Sequence, residues 1–209
     1  KEHQRYFPVK SHTGELLPFF IGVRNGTADF METVVRGNEK VLHARLQDAA
    51  FFYKEDQKLS IPQNLKQLER IVFQEDMGTI ADKVSRIRRI AAMIATDLKV
   101  NDTVKEQIDR AAEICKFDLV TNIIKECTEL KGIMGRKYAV IFGEEDIVAQ
   151  AIEEHYMPRN AHDTLPASKI GAIVSVADKL DTIVGCYAVG ILPSGYQDPY
   201  GLRRQALRI

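Results

Sequence analysis

Ile80-Ala81-Asp82-Lys83-Val84-Ser85-Arg86-Ile87-Arg88-Arg89-Ile90-Ala91-Ala92-Met93-Ile94-Ala95-Thr96-Asp97-Leu98 decides the fold class. Ile80, Val84, Ile87, Ala91, Ile94 and Leu98 recur at three-to-four spacing, which lays one apolar stripe along a helix. Asp82, Arg86, Arg89 and Met93 fall largely off that stripe. Such a helix needs other apolar faces to pack against, and the flanking sequence supplies them.

Downstream, Val104, Ile108, Ala111, Cys115, Leu119 and Ile123 form a second core stripe. Thr103 with Glu106 fits a capping box at its start, a hydroxyl and a carboxylate each taking an orphan N–H. Gly132 and Gly135 end that region. Gly143-Glu144-Glu145-Asp146 places acids at the positive end of a further helix running to about Tyr156. Pro158 to Pro166 reads as a loop. Ser168 then caps a long last helix from Lys169 to about Val189, closed near Gly190 and Pro193.

Upstream, helical periodicity begins at Asn38, with Val41, Leu42, Leu46, Ala49, Ala50 and Tyr53 on one stripe. Pro62 opens the next helix, where a missing N–H costs little, and Leu65, Leu68, Ile71 and Val72 share its face. Before Asn38 the character changes. Tyr6-Phe7-Pro8-Val9 and Leu16-Leu17-Pro18-Phe19-Phe20-Ile21-Gly22-Val23 read as strands joined through Ser11-His12-Thr13-Gly14-Glu15. Pro18 confines its strand to an edge or forces a bulge. The expected architecture is mainly α. Residues 1–40 are the tail of a β-containing domain too small to bury a core alone, and 41–209 form a helical domain of five to seven helices.

The 209 residues carry 29 Lys and Arg against 29 Asp and Glu, with a hydrophobic share of 45%. That composition excludes wholesale disorder. The zero balance excludes nucleic-acid binding by bulk charge and leaves room for local basic faces. No run approaches the roughly 18 apolar residues of a membrane helix; the longest candidate, Ile170 to Val189, contains Asp178, Lys179 and Asp181. No signal peptide is visible, and the start at Lys1 and stop at Ile209 read as the cut ends of an internal piece. Cys115, Cys127 and Cys186 form no CxxC pair, which points to reduced thiols in the cytosol.

Candidate chemistry is sparse. His155 and His162 lie across a break at Pro158 and lack the spacing of a zinc helix motif. No Gly-x-Ser-x-Gly elbow, phosphate loop or GxGxxG occurs. Asp178 and Asp181 sit three residues apart on an otherwise apolar helix. Buried carboxylates need partners, and a metal or an Arg from a neighbouring helix (Arg86 or Arg89) would serve. Arg86, Arg88 and Arg89 with Lys83 form one basic face. Arg203, Arg204 and Arg208, behind Asp198-Pro199, form another. Such faces suit phosphate backbones, or else are solvated, salt-bridged helix surfaces.

Several stretches together resemble one family. They are His3-Gln4-Arg5-Tyr6-Phe7-Pro8, Gly37-Asn38-Glu39-Lys40-Val41-Leu42 and Ala44-Arg45-Leu46-Gln47-Asp48-Ala49, followed by Gly132-Ile133-Met134-Gly135-Arg136-Lys137-Tyr138-Ala139. Glu153-Glu154-His155-Tyr156-Met157-Pro158, Ala177-Asp178-Lys179-Leu180-Asp181-Thr182 and Asp198-Pro199-Tyr200-Gly201-Leu202-Arg203-Arg204 complete the set. In this order they resemble the beta subunit of the bacterial, tetrameric glycyl-tRNA synthetase, a longer protein. The resemblance implies glycine, ATP and tRNA(Gly) giving glycyl-tRNA, AMP and diphosphate in the cytoplasm. ATP and Mg would be used in the alpha subunit of an α2β2 tetramer. This piece would contribute to tRNA binding and assembly, through Arg86, Arg89, Arg203 and Arg204, with no membrane partner.

The helical part is similar to the HD phosphohydrolase fold, whose metal site joins a His, a His-Asp doublet and a late Asp. Here Lys83 stands for the first His and Phe117-Asp118 for the doublet, while Asp178 keeps the last position. The resemblance therefore implies a degenerate site with no metal, no cofactor and no catalytic residue. Asp118 is expected to pair with Lys83, and Asp178 with Lys83 or Arg86. The alternatives are a metal-dependent HD-type phosphohydrolase and a purely structural subunit-packing domain.

Overall fold

The computed structural model describes residues 6–160 and 162–209. His3, Gln4 and Arg5 of the first family-like stretch lie outside the described residues. The chain is mainly helical and divides into two compact units, Lys1–Phe51 and Phe52–Ile209.

In the first unit, β1 (Tyr6–Lys10) and β2 (Leu16–Gly22) form an antiparallel hairpin. Its turn is closed by Ser11 N–H on the Glu15 carbonyl at 2.9 Å and by Gly14 in the left-handed region at φ +87°. Pro8 pairs with Phe20 and Lys10 with Leu16, so β2 carries extra residues between these pairs. Pro18, unable to donate to a ladder, lies within that bulge, in agreement with its reading. Helix α1 (Met31–Asp56) follows. It begins well before Asn38: Met31, Val34 and Val35 recur at helical spacing and line the groove beside the hairpin.

The second unit begins inside the last turns of α1. Ser60 and Gln63 form a capping box at the start of α2 (Ile61–Gln67), with Pro62 in its first turn. The expected continuation through Val72 is absent. A 3-10 turn, Leu68–Arg70, ends the helix, and β3 (Val72–Gln74) pairs with β4 (Gly78–Thr79). Thr79 and Asp82 cap α3 (Ile80–Asp97), the helix read first from the sequence. Asn101, not Thr103, caps α4 (Asp102–Ile114), its side chain accepting from Val104 N–H at 2.9 Å. The stripe beyond Cys115 is broken by a 3-10 turn, Phe117–Val120, before the short α5 (Asn122–Glu126).

Gly132 does not stop a helix. With φ +76° it opens α6 (Ile133–Ile141), because a Cβ there would meet the Tyr156 ring at 2.7 Å and the Ile152 carbonyl at 3.1 Å. Then come α7 (Asp146–Glu154), α8 (Lys169–Ala188) capped by Ser168, and α9 (Leu202–Ala206). Nine α-helices among the described residues exceed the expected five to seven because α5 and α9 have five residues each. Helices α3, α4, α7 and α8 meet around Ile87, Ala91, Ile108, Ala111, Ile152 and Val174, all at most 1% exposed. The small alanines let backbones approach, so the polar side chains of α3 and α8 come within bonding reach inside the bundle.

Candidate functional site

Helices α3 and α8 are joined by ion pairs that leave little surface to water. Lys83 Nζ on α3 lies 2.9 Å from Asp178 Oδ1 and 2.9 Å from Asp181 Oδ2, both on α8. It also donates to Thr182 Oγ1 at 2.7 Å. Asp178 and Asp181 therefore do point the same way, as their spacing implies. Arg86 Nε holds the other oxygen of Asp181 at 2.5 Å, and its Nη1 donates to the Met77 carbonyl at 2.9 Å. Arg86 is thus the Arg partner anticipated for this carboxylate pair.

A second ammonium completes the cluster. Lys116 Nζ is 2.6 Å from Asp178 Oδ2 and 2.9 Å from His155 Nε2, and stands over the Tyr156 ring at 4.3 Å. His155 Nδ1 donates to the Ile152 carbonyl at 2.7 Å, which leaves Nε2 as the acceptor for Lys116. Burial and the Lys116 charge both push His155 well below its ordinary value, so the ring is neutral. Burial alone would raise the Asp178 carboxyl, but Lys116 and Lys83 outweigh it and hold that carboxyl well below the usual range. Burial opposes the charge on Lys83 as well, yet Asp178 and Asp181 keep its value raised.

The positions singled out for the degenerate HD-like site do not all converge. Lys83 and Asp178 meet. Phe117 is a fully buried core ring. Asp118 is a correction: it does not pair with Lys83, because Lys83 is saturated by α8 while the Asp118 Oδ2 accepts from Gly132 N–H at 2.7 Å. Burial pushes Asp118 up to about 6. Its Oδ1 and the Tyr156 hydroxyl are buried without a hydrogen-bond partner. Lys116, one residue before the doublet and in no motif of the sequence, takes the central place instead. His155, part of a family-like stretch and without zinc-motif spacing to His162, is the acceptor for Lys116.

The donor set does not fit a divalent cation. Both oxygens of Asp178 are engaged by ammonium groups, and a dication there would face two positive charges at close range. No group of three or more His, Cys, Asp and Glu suited to a metal occurs among the described residues.

A neighbouring carboxylate acts as a structural clamp. Asp56, at the end of α1, accepts from Asn122 N–H at 2.7 Å, Asn122 Nδ2 at 2.9 Å, Ile123 N–H at 3.0 Å and the Tyr138 hydroxyl at 3.0 Å. It satisfies orphan donors of α5 and one buried phenol together. Of the basic faces, Arg89, Arg203 and Arg204 are exposed, whereas Arg86 is largely spent on Asp181. Arg203 donates to the Ser194 carbonyl, and the Asp198 carboxylate accepts from Leu202 N–H at 2.7 Å, so α9 is anchored at its first turn.

The family model for the glycyl-tRNA synthetase beta subunit matches residues 1–209. The chain belongs to that family. Among curated relatives, the glycine–tRNA ligase beta subunit of Bacillus subtilis (strain 168) is 58% identical over 99% of this chain and 30% of its own length. The beta subunit of Oceanobacillus iheyensis is 57% identical over 100% of this chain, and that of Desulforamulus reducens 54% over 100%, each again over 30% of its own length. The resemblance read from scattered motifs is therefore borne out over the whole chain. The chain spans about 30% of the length of the relatives it matches. Within the glycyl-tRNA synthetase beta subunit family, then, these residues include a helical unit in which Lys83, Arg86, Lys116, Asp178 and Asp181 satisfy one another while Arg203 and Arg204 stand exposed on α9.

Proposed function

We propose that these residues serve glycine–tRNA ligation (ATP, glycine and tRNA(Gly) to glycyl-tRNA, AMP and diphosphate) as a noncatalytic, tRNA-handling part of the beta subunit. Membership of the family over all 209 residues carries the reading. ATP, Mg and the adenylation chemistry belong to the alpha subunit of an α2β2 assembly in the cytoplasm. Among the described residues no helix is long and apolar enough to cross a membrane.

The lysine-filled cluster supports the noncatalytic assignment, since its carboxylates have no spare oxygen to hold a hydrolytic metal. An HD-type hydrolase is disfavoured for the same reason. Exposed Arg203 and Arg204, held on an anchored short helix, suit phosphate contacts that position tRNA without reading bases. Arg89 adds an exposed guanidinium on α3. Arg86 contributes indirectly, through α3–α8 packing, a shift from the direct contact expected of it.

The test is Arg203→Glu with Arg204→Glu in the assembled synthetase. Binding of tRNA(Gly) should weaken and its salt dependence should flatten, since each lost phosphate contact removes about 0.7–0.9 from the log–log slope. Unchanged affinity and slope would leave only subunit packing for this segment.

A further inference from the structure

We infer that the outward face of the β1–β2 hairpin is an internal interface, covered in the full-length subunit by a layer of the same polypeptide from outside these 209 residues. The inference rests on the family assignment, not on the tRNA role.

Strand alternation sets the two faces of the hairpin. Tyr6 pairs with Gly22, and its hydroxyl donates to Asn38 Oδ1 of α1 at 3.1 Å, so this pair faces the helix. Tyr6 also meets Phe20 edge-on, at 5.2 Å between ring centres. The neighbouring pair, Phe7 with Ile21, must then point away from α1. Those side chains are 54% and 57% exposed. Phe19 in the bulge and Val23 just past the strand, 66% and 67% exposed, line the groove beside α1 and are not part of this face. A strand that is apolar on both sides is the pattern of a sheet with a layer on each face. Among the described residues of this unit only α1 packs on the hairpin, and loosely: an open groove of about 550 Å³ runs along Phe19, Phe20, Val23, Met31, Val34 and Val35.

The chemistry of the face selects its occupant. Lys10 is the sole Lys or Arg between Tyr6 and Val23, so the face cannot neutralise a phosphate backbone. Two strands about 10 Å wide and about 20 Å long offer a few hundred Å² at most. That is less than the roughly 800 Å² per partner of a stable interface between separate chains. A layer tethered in the same polypeptide needs no such area. The relatives supply the material, since 70% of their length has no counterpart here (100% less the 30% matched).

Hydroxyl-radical footprinting of the wild-type full-length subunit, without alpha subunit or tRNA, tests this with no variant to misfold. Phe7 and Ile21 should oxidise readily in the 209-residue chain. In the full-length subunit their oxidation should fall to the level of the fully buried Phe117. Equal oxidation in both proteins would overturn the inference. So would protection that appears only when the alpha subunit is added, or protection that fades on dilution, which would make a second copy the cover. None of these outcomes touches the arginine test above, so the two readings fail separately.

Discussion

Lys83→Met is the sharpest probe of the α3–α8 cluster. The Lys83 side chain is 5% exposed, so solvent screens its pairs little. Removing one partner of a buried ion pair costs about 3–5 kcal/mol, because a desolvated charge is left behind. Here the low end applies: Asp181 keeps Arg86, and Asp178 keeps Lys116. A loss of about 3 kcal/mol shifts the midpoint by about 6–12 °C, at about 2–4 °C per kcal/mol for a chain of this size. Far-UV circular dichroism melts and urea titrations at neutral pH would measure it. A double-mutant cycle with Asp178→Asn should show a coupling of about 1–3 kcal/mol, since the two groups touch. A Lys83→Met protein within about 0.5 kcal/mol of the parent, the scale of surface changes, or zero coupling in the cycle, would refute the reasoning.

Acid should act on the fold through two aspartates with opposite signs. The Asp178 carboxyl is depressed in the folded state, so its contribution is full above the unfolded value of about 4 and is lost as pH falls below it. Asp118 is raised to about 6, so the folded state binds more protons between about pH 4 and 6, and stability falls as pH rises through that window. Asp118→Asn should remove that fall when its pH–stability curve is subtracted from the parent's. Asp56→Ala should cost about 3 kcal/mol or more in urea melts, because the Tyr138 hydroxyl and two helix N–H groups lose their acceptor. Gly135→Ala should destabilise by about 1–3 kcal/mol, its Cβ meeting Asp118 Oδ2 and Ile152 Cγ2 at 2.8 Å, whereas Gly185→Ala should be milder because it meets only the mobile end of Met77. Added Mg or Mn should leave the melting temperature unchanged and produce no phosphate release from nucleotides; a rise in either measurement would contradict a site filled by lysines.

Much of the helical unit was legible because its signals were local. The α3 stripe and the Ser168 cap of α8 each follow from spacing and one hydrogen bond. The hairpin followed from turn residues between apolar runs, and Pro18 did mark a bulge. What escaped depended on tertiary contact. The start of α1 carries only Met31, Val34 and Val35 at helical spacing before Gly37, about one turn of apolar signal and too short to read as a helix by itself. Gly132 looked like a helix stop because glycine commonly ends helices; only the closeness of the Ile152 carbonyl shows why it begins one. Lys116 was overlooked because lysine is nearly always solvated unless paired, and its partners His155 and Asp178 lie 39 and 62 residues away. The carboxylate pair was visible, but the second cation that answers it was not.

Carboxylates turned inward on packed helices are often bridged by a bound ion, and a bound ion stabilises by mass action, in proportion to the logarithm of its concentration over its dissociation constant. The two cations on Asp178 are side-chain ends of Lys83 and Lys116. Their effective concentration is fixed by the chain, so dilution, chelators and the cell's metal supply have no purchase on this joint between helices. Only a change of sequence can take these cations away.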